Sequence, residues 1–352
     1  MIKMDEIENN DILVNNENVL NENDTMKKKS QKKVIIWSIV CGIVAIVAIV
    51  LVLNRATIYD YFRAISYKPS EEMAQIRDKL ELTSDGLFLF NASQPTLGNQ
   101  DEFNEECSLT RDESMAVLGC YLDNNIYVYN VTQEELSGIR EVTTAHELLH
   151  AAWSRISGGE KAMITALLKD VLEQNSELIG DEIETYEDSE KIEELYVRAG
   201  TEVKTLPPEL EEHYAKYFKD QDKIVDYYDG YKKVFRDLMD EIERLDQEMQ
   251  EIKAQYEAKE QEYEQRANAL NTEIGEFNKC AETAGCFNSQ WAFNQRRAAL
   301  VGEQNALETL YGEIERLINE YNIRVEKYNQ DALYNQKLNQ IINSSVKVEE
   351  NL

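Results

Sequence analysis

The longest uninterrupted apolar stretch of the chain runs from residue 34 to residue 53. It contains no charged residue, and Ser38 is its only obvious polar side chain. At about 1.5 Å of rise per residue it matches the roughly 30 Å hydrocarbon core of a bilayer, which predicts a transmembrane helix over 34–53. Lysines cluster just ahead of it, at 27–29 and 32–33, so the N-terminus is predicted to be cytoplasmic and everything after Leu53 extracytoplasmic. The run is too long for a signal peptide and lacks a small-residue cleavage site before its end, which favours an uncleaved single-pass anchor.

A second pattern, with apolar residues alternately three and four apart, occupies the C-terminal third. This spacing is typical of a coiled-coil seam, and it occurs in two runs separated by a segment with a glycine and two cysteines. The pattern predicts an antiparallel coiled-coil hairpin over 221–345, with its tip near 278–289. Lys259 and Arg266 fall at expected seam positions, so the seam is imperfect. The apolar seam residues are Phe235, Leu238, Ile242, Leu245, Met249, Ile252 and Tyr256, followed by Leu300, Leu307, Leu310, Ile314, Leu317 and Tyr321.

Between these two patterns, residues 54–220 combine short strands with helices. Residues 116–121 and 126–131 alternate as two strands do, and the turn residues at 123–125 join them into a hairpin. The apolar run at 86–90 is predicted as a further strand. The predicted fold class is therefore α+β, mostly α.

Two of the three histidines of the chain lie in an H-E-x-x-H arrangement. His146 and His150 are four residues apart and would share one face of a helix, where both rings can reach one metal ion. Glu147 projects from the same turn and could take a proton from a water molecule that the ion activates. Between Thr143 and Trp153 the only charged residue is Glu147, as expected of a helix inside a domain. The pattern predicts a zinc site.

A catalytic zinc ion usually has three protein ligands, so a third must come from downstream. Two glutamates stand out in the predicted helix that follows. Glu202 comes after the small residues Gly200 and Thr201, which would let this helix approach the histidines, and Glu194 lies near the start of the helix. The sequence does not separate Glu194 from Glu202.

The H-E-x-x-H helix, followed some tens of residues later by a helix with a glutamate, resembles the gluzincin group of zinc metallopeptidases. The resemblance covers about residues 87–218 and is strong only at 146–150. It implies a small zincin-like metallopeptidase domain over 54–220, with His146 and His150 as zinc ligands, Glu147 as general base, and Glu194 or Glu202 as the third ligand.

The same resemblance implies a side chain that stabilises the oxyanion of the tetrahedral intermediate. His213, Tyr196 and Tyr214 are the candidates. The chain departs from the best-known gluzincin pattern because neither glutamate is followed four residues later by an acidic residue that could orient a ligand histidine. Arg198 and Leu206 occupy those positions.

Composition adds the cellular setting. Four cysteines follow the apolar run, which suggests disulfides in an oxidising compartment, and local spacing favours Cys107 with Cys120 and Cys280 with Cys286. Residues 1–33 are polar and acidic and are predicted to be a disordered cytoplasmic tail. A formal net charge of -30 argues against nucleic-acid binding, because phosphate contacts need a basic surface.

The sequence therefore predicts a membrane-anchored zinc metallopeptidase that hydrolyses peptide bonds of extracytoplasmic proteins or envelope peptides. The alternative is a non-enzymatic envelope scaffold, with a structural or vestigial metal site, that acts through its coiled coil. The role of the hairpin stays open between a spacer, a recruiting arm, an oligomerisation element and a docking surface for an envelope partner.

Overall fold

The computed structural model describes residues 33, 37–107, 118–180, 183, 186 and 190–343. The predicted tail at 1–33 therefore lies almost wholly outside the described residues. The chain divides into two compact units, Met1–Tyr67 and Lys68–Leu352.

Two helices make up the described part of the first unit. Helix α1 spans Trp37–Leu53 and helix α2 spans Arg55–Ser66, with a bend of 68° between them. Most of the large apolar side chains of α1 are exposed. Residues 34–36 of the predicted transmembrane helix lie outside the described part. Among the described helices, none is by itself long and apolar enough to span a bilayer, whereas the bent pair α1 and α2 together meets that length and composition.

The second unit is mostly helical and contains one small sheet. Its elements are α3 (Glu71–Lys79), α4 (Ser84–Ser93), β1 (Thr96–Gly98), α5 (Gln100–Cys107), β2 (Gly119–Leu122), β3 (Asn125–Tyr129), α6 (Ile139–Trp153), α7 (Gly158–Gln174), α8 (Lys191–Glu202), α9 (Pro208–Tyr214), α10 (Gln221–Glu282) and α11 (Gln290–Ile342). A 3-10 turn precedes α6, and a π-helical turn follows α7. The helices α10 and α11 belong to the same unit as α6 and α8.

The sheet has the order β1-β3-β2, with β1 parallel and β2 antiparallel to β3. Residues 122 and 125 pair, so Asp123 and Asn124 form the turn, and both have the positive φ that a tight hairpin turn requires. The predicted hairpin is confirmed, with its strands placed at 119–122 and 125–129, although residues 116 and 117 lie outside the described part. A disulfide between Cys107 and Cys120 joins α5 to β2, as the cysteine spacing predicts.

The strand predicted at 86–90 is wrong, because these residues lie in α4. The side chain of Thr83 accepts a hydrogen bond from the backbone N–H of Gly86 and so caps the helix at its N-terminus. Leu89 and Phe90 are buried, while Leu87 and Phe88 are partly exposed. A short apolar run fits a strand or a buried helix equally well, and here the preceding cap decides for the helix.

Helices α10 and α11 pack as an antiparallel pair, as predicted. Cross-helix ion pairs join Lys259 to Glu313 at 2.6 Å and Arg266 to Glu303 at 2.8 Å. The two basic residues at seam positions thus reach carboxylates on the facing helix, which the long stems of Lys and Arg allow. At the tip, a disulfide joins Cys280 to Cys286. The buried members of the predicted seam are Leu245, Ile252, Leu300, Leu307, Leu310, Ile314 and Leu317.

Candidate metal centre

Helix α6 lies in the core of the second unit and presents two histidines on one face. It packs against α8, β2 and the base of α10. Most of its side chains are buried, and His146 and His150 are partly open, with ring centroids 5.1 Å apart. The spacing of four residues places the two rings one above the other, as predicted from the sequence.

Helix α8 adds a carboxylate to the two rings. One oxygen of Glu194, Oε1, lies 3.7 Å from His146 Nε2, and the other, Oε2, lies 3.5 Å from His150 Nε2. Two ligand atoms at 2.0–2.2 Å from a tetrahedral ion are about 3.4 Å from one another, and each of these two distances is close to that value. His146, His150 and Glu194 therefore form a group that could hold a metal ion, the candidate metal-binding group.

The close approach of α8 to α6 depends on a glycine. A Cβ atom at Gly200 would lie 2.5 Å from Leu149 Cδ1 and 2.7 Å from Tyr214 Cε1, which is closer than van der Waals contact permits. A larger residue would push the two helices apart. The small pair Gly200 and Thr201, which pointed to Glu202 in the sequence, thus brings the whole of α8 against α6, including Glu194.

Glu202 is also buried but has a different partner. Arg198 lies between the two glutamates, and its guanidinium donates to Glu194 Oε1 at 2.8 Å and to Glu202 Oε2 at 3.4 Å. Glu202 lines the same cavity as the histidines but does not belong to the metal-binding group. The geometry therefore favours Glu194 over Glu202 as the third ligand. Glu202 helps to compensate the buried charge of Arg198.

A residue that the sequence did not single out orients one of the histidines. The Nδ1–H group of His150 donates a hydrogen bond to Glu193 Oε1 at 2.9 Å, which leaves Nε2 facing Glu194. A carboxylate on the far nitrogen of a ligand histidine fixes the tautomer and the orientation of the ring. The acidic residue that is missing four positions after Glu194 or Glu202 is thus supplied by the residue before Glu194.

Replacing Glu193 with glutamine is expected to weaken zinc binding by about 10- to 100-fold, because a neutral amide polarises the His150 ring less than a carboxylate does. The measurement is the zinc dissociation constant by competition with a chromophoric chelator. Glu190→Gln, the same substitution at an exposed carboxylate just ahead of α8, is the control and leaves the affinity unchanged. Equal zinc affinities in the two variants would show that Glu193 does not contribute to the site.

The titratable side chains of the group shift one another's pKa values. Burial lowers the pKa of His146 to about 3. Burial also opposes the charged form of His150, but its hydrogen bonds to Glu193 and Glu194 outweigh this effect and raise the pKa of His150 to about 10. Burial acts against ionised Glu194 as well, yet the nearby His146, His150 and Arg198 hold the pKa of its carboxyl group well below the usual value. Glu194 is therefore available as an anionic ligand at neutral pH.

Glu147 lies beside the group, in a space that a glycine leaves open. A Cβ atom at Gly119 on the edge strand β2 would lie 2.7 Å from both Cγ and Oε1 of Glu147. Burial raises the pKa of Glu147 to about 7, so its carboxyl group can exchange a proton near neutral pH. The sequence indicated the role of Glu147 but gave no signal for Gly119.

A cavity of about 680 Å³ opens onto these residues. Its lining includes Tyr186, whose side chain interacts with Glu194 and Arg198. Burial raises the pKa of Tyr186 above its usual value, so the phenol keeps its proton and can donate a hydrogen bond. Tyr186 lies in a polar, acidic stretch without periodicity, which is why sequence reasoning missed it.

The three residues predicted as oxyanion stabilisers lie elsewhere, in the core next to α6. The hydroxyl of Tyr196 shares a hydrogen bond with His213 Nε2 at 2.9 Å, and the hydroxyl of Tyr214 donates to the backbone carbonyl of Tyr196 at 2.7 Å. All three side chains are buried, and none of them lines the cavity. The structure brings Tyr186, rather than these residues, to the metal-binding group.

Comparisons of the chain with protein families, with curated proteins and with solved structures find no match.

Proposed function

We propose that the protein is a zinc-dependent metallopeptidase. The observation that carries the proposal is the grouping of His146, His150 and Glu194, whose ligand atoms all lie within 4.8 Å of one another, with Glu147 beside them in an open cavity. Two imidazole nitrogens and one carboxylate leave a fourth position free, and this ligand set suits a catalytic zinc ion. A structural zinc site would use four protein ligands.

In the proposed peptide hydrolysis, each residue of the site has its own role. A bound Zn²⁺ ion would polarise the scissile carbonyl group and acidify a water molecule. Glu147 takes the proton of the attacking water and delivers it to the leaving amine, a role that suits a carboxyl group with a pKa near neutrality. Tyr186, protonated and on the cavity wall, donates a hydrogen bond to the oxygen that gains negative charge.

The cellular setting is part of the same proposal. The apolar run at 34–53 and the lysines ahead of it support a single-pass membrane anchor with a cytoplasmic N-terminus. The two disulfides, Cys107–Cys120 and Cys280–Cys286, support an extracytoplasmic position for the domain. Its substrates would be extracytoplasmic proteins or envelope peptides.

The first test is the zinc content of the full chain, purified in mild detergent, dialysed and measured by elemental mass spectrometry. We expect about one zinc ion per chain, and loss of that ion in the variant His146→Ala. The matched control is His213→Gln, which changes the third histidine, outside the metal-binding group, and keeps the zinc. Circular dichroism shows whether each variant is folded. Failure of the folded wild type to retain zinc at micromolar supply would refute the proposal.

A further inference from the structure

The base of the hairpin supplies one wall of the cavity at the metal-binding group. The same cavity is lined by His146, Glu147 and Glu194. The two hairpin arms meet at this wall, because the side-chain amide of Asn335 contacts the sulfur of Met239 at 3.2 Å. The hairpin residues that line the cavity are Tyr228, Tyr231, Lys232, Phe235 and Met239 from α10, and Asn335, Asn339 and Ile342 from α11.

One face of α10 stays apolar beyond the point where the helix packs on the domain. Tyr231, Phe235 and Met239 are spaced four residues apart and so share this face. Tyr231 is buried, Phe235 is half-buried, and Met239 is 51% exposed. Packing of the hairpin on the domain explains why an apolar side chain is present at Tyr231. It does not explain the apolar side chains of Phe235 and Met239, which are less buried. Phe235 and Met239 thus present uncovered apolar surface to the cavity.

The hairpin wall of the cavity lacks the acidic side chains that are frequent in the rest of the chain. The sequence has 67 acidic residues, yet no carboxylate of the hairpin lines the cavity. The single charged residue there, Lys232, lies over the ring of Tyr228 with its Nζ atom 5.5 Å from the ring centroid. The carboxylates that line the cavity come from α6 and α8, whereas the hairpin contributes aromatic and aliphatic side chains together with Lys232, Asn335 and Asn339.

The apolar face extends into a neighbouring cavity of about 300 Å³. That cavity is lined by Phe235 and Met239 again, and by Leu178, which is 41% exposed, from the π-helical turn. Its remaining lining residues are Tyr228, Asp229, Lys232 and Arg236 of α10. Both volumes lie within the range of sites that enclose a small ligand or a large side chain. The methionine suits such a wall, because its flexible thioether side chain adapts to differently shaped groups.

We propose that the hairpin base is the specificity wall of the peptidase, on which Phe235 and Met239 receive a large apolar side chain of the peptide next to the bond that is cleaved. The inference rests on the proposed function, because it takes the metal-binding group as the place where that bond lies. It gives the hairpin a direct role in substrate choice: the side chains at its base contact the substrate.

Two hydroxamates that differ only in one side chain test the inference by binding alone. The probes are N-acetyl-phenylalanine hydroxamate and N-acetyl-glycine hydroxamate, whose hydroxamate group binds zinc, titrated into the zinc-loaded full chain. We expect the phenylalanine probe to bind at least tenfold more tightly, because its benzyl group is removed from water against Phe235 and Met239. In the double variant Phe235→Ala, Met239→Ala we expect the preference to fall below threefold, with unchanged affinity for the glycine probe.

The matched control is Leu333→Ala, which removes an exposed apolar side chain from α11 outside the cavity and keeps the full preference. Zinc content is measured for every variant. Equal binding of the two probes by the zinc-loaded wild type, or an undiminished preference in the double variant, would overturn the inference and leave the metal centre in place. A folded wild type without zinc would overturn both the proposed function and the inference.

Discussion

Changing Glu194 to alanine is expected to abolish stoichiometric zinc binding, whereas changing Glu202 to alanine is expected to preserve it. One oxygen of Glu194 lies 3.7 Å from His146 Nε2 and the other lies 3.5 Å from His150 Nε2, so the three side chains can reach one ion. Glu202 belongs to α8 as well but contacts Arg198 instead. Because removing a residue that only orients a ligand costs about 10- to 100-fold in affinity, loss of a ligand is expected to cost more than 100-fold.

The measurement is the zinc dissociation constant of both variants, with zinc content per chain as the direct readout. Glu202→Ala is the internal control, since it removes a buried carboxylate from the same helix and leaves Arg198 its ion pair with Glu194. We expect it to lower thermal stability while the zinc content stays near one. The reverse result, with zinc retained by Glu194→Ala and lost from Glu202→Ala, would make Glu202 the third ligand.

The parts of this fold that the sequence predicts are those that depend on local chemistry. The spacing of His146 and His150 alone places both rings on one face, because helix geometry fixes that relation. The hairpin follows from seam spacing, and the pairing of Cys280 with Cys286 follows from their closeness along the chain. In each case the residues that interact are close in sequence or belong to one repeating pattern.

The choice between Glu194 and Glu202 depends on how α8 is rotated against α6, and no local pattern encodes that rotation. Gly200 sets the distance between the two helices, but only the packed structure shows that Glu194 then faces the histidines. Glu193 was missed for the same reason, since two adjacent carboxylates look alike in sequence. Their directions differ, and one contacts Nδ1 of His150 while the other faces Nε2.

Phe235 shows a different limit. In the sequence it is the first member of the coiled-coil seam, and its spacing matches that of Leu245 and Ile252, which are buried between the arms. In the structure Phe235 is only half-buried and lines the cavity, because the hairpin at this point also contacts the domain. A seam pattern does not reveal where a seam residue also faces another surface.

Changing Glu147 to glutamine is expected to remove peptide hydrolysis while zinc binding is kept. Glutamine has the shape of glutamate but cannot accept and deliver a proton, and loss of a general base costs roughly 10²- to 10⁴-fold in rate. Because Glu147 does not belong to the metal-binding group, the zinc content should stay near one per chain. The rate is measured with a library of internally quenched peptides, and the fold is checked by circular dichroism.

The matched control for this experiment is Glu141→Gln, the same substitution on the same helix. Glu141 is buried and pairs with Lys79 at 2.6 Å, so its loss lowers stability without reaching the cavity. Hydrolysis that survives in Glu141→Gln and disappears in Glu147→Gln assigns the chemistry to one carboxylate. Equal hydrolysis by the wild type and Glu147→Gln would show that the activity arises elsewhere. A wild type that binds zinc and cleaves no peptide of the library would favour the scaffold alternative, in which the hairpin carries the function and the zinc only stabilises the fold.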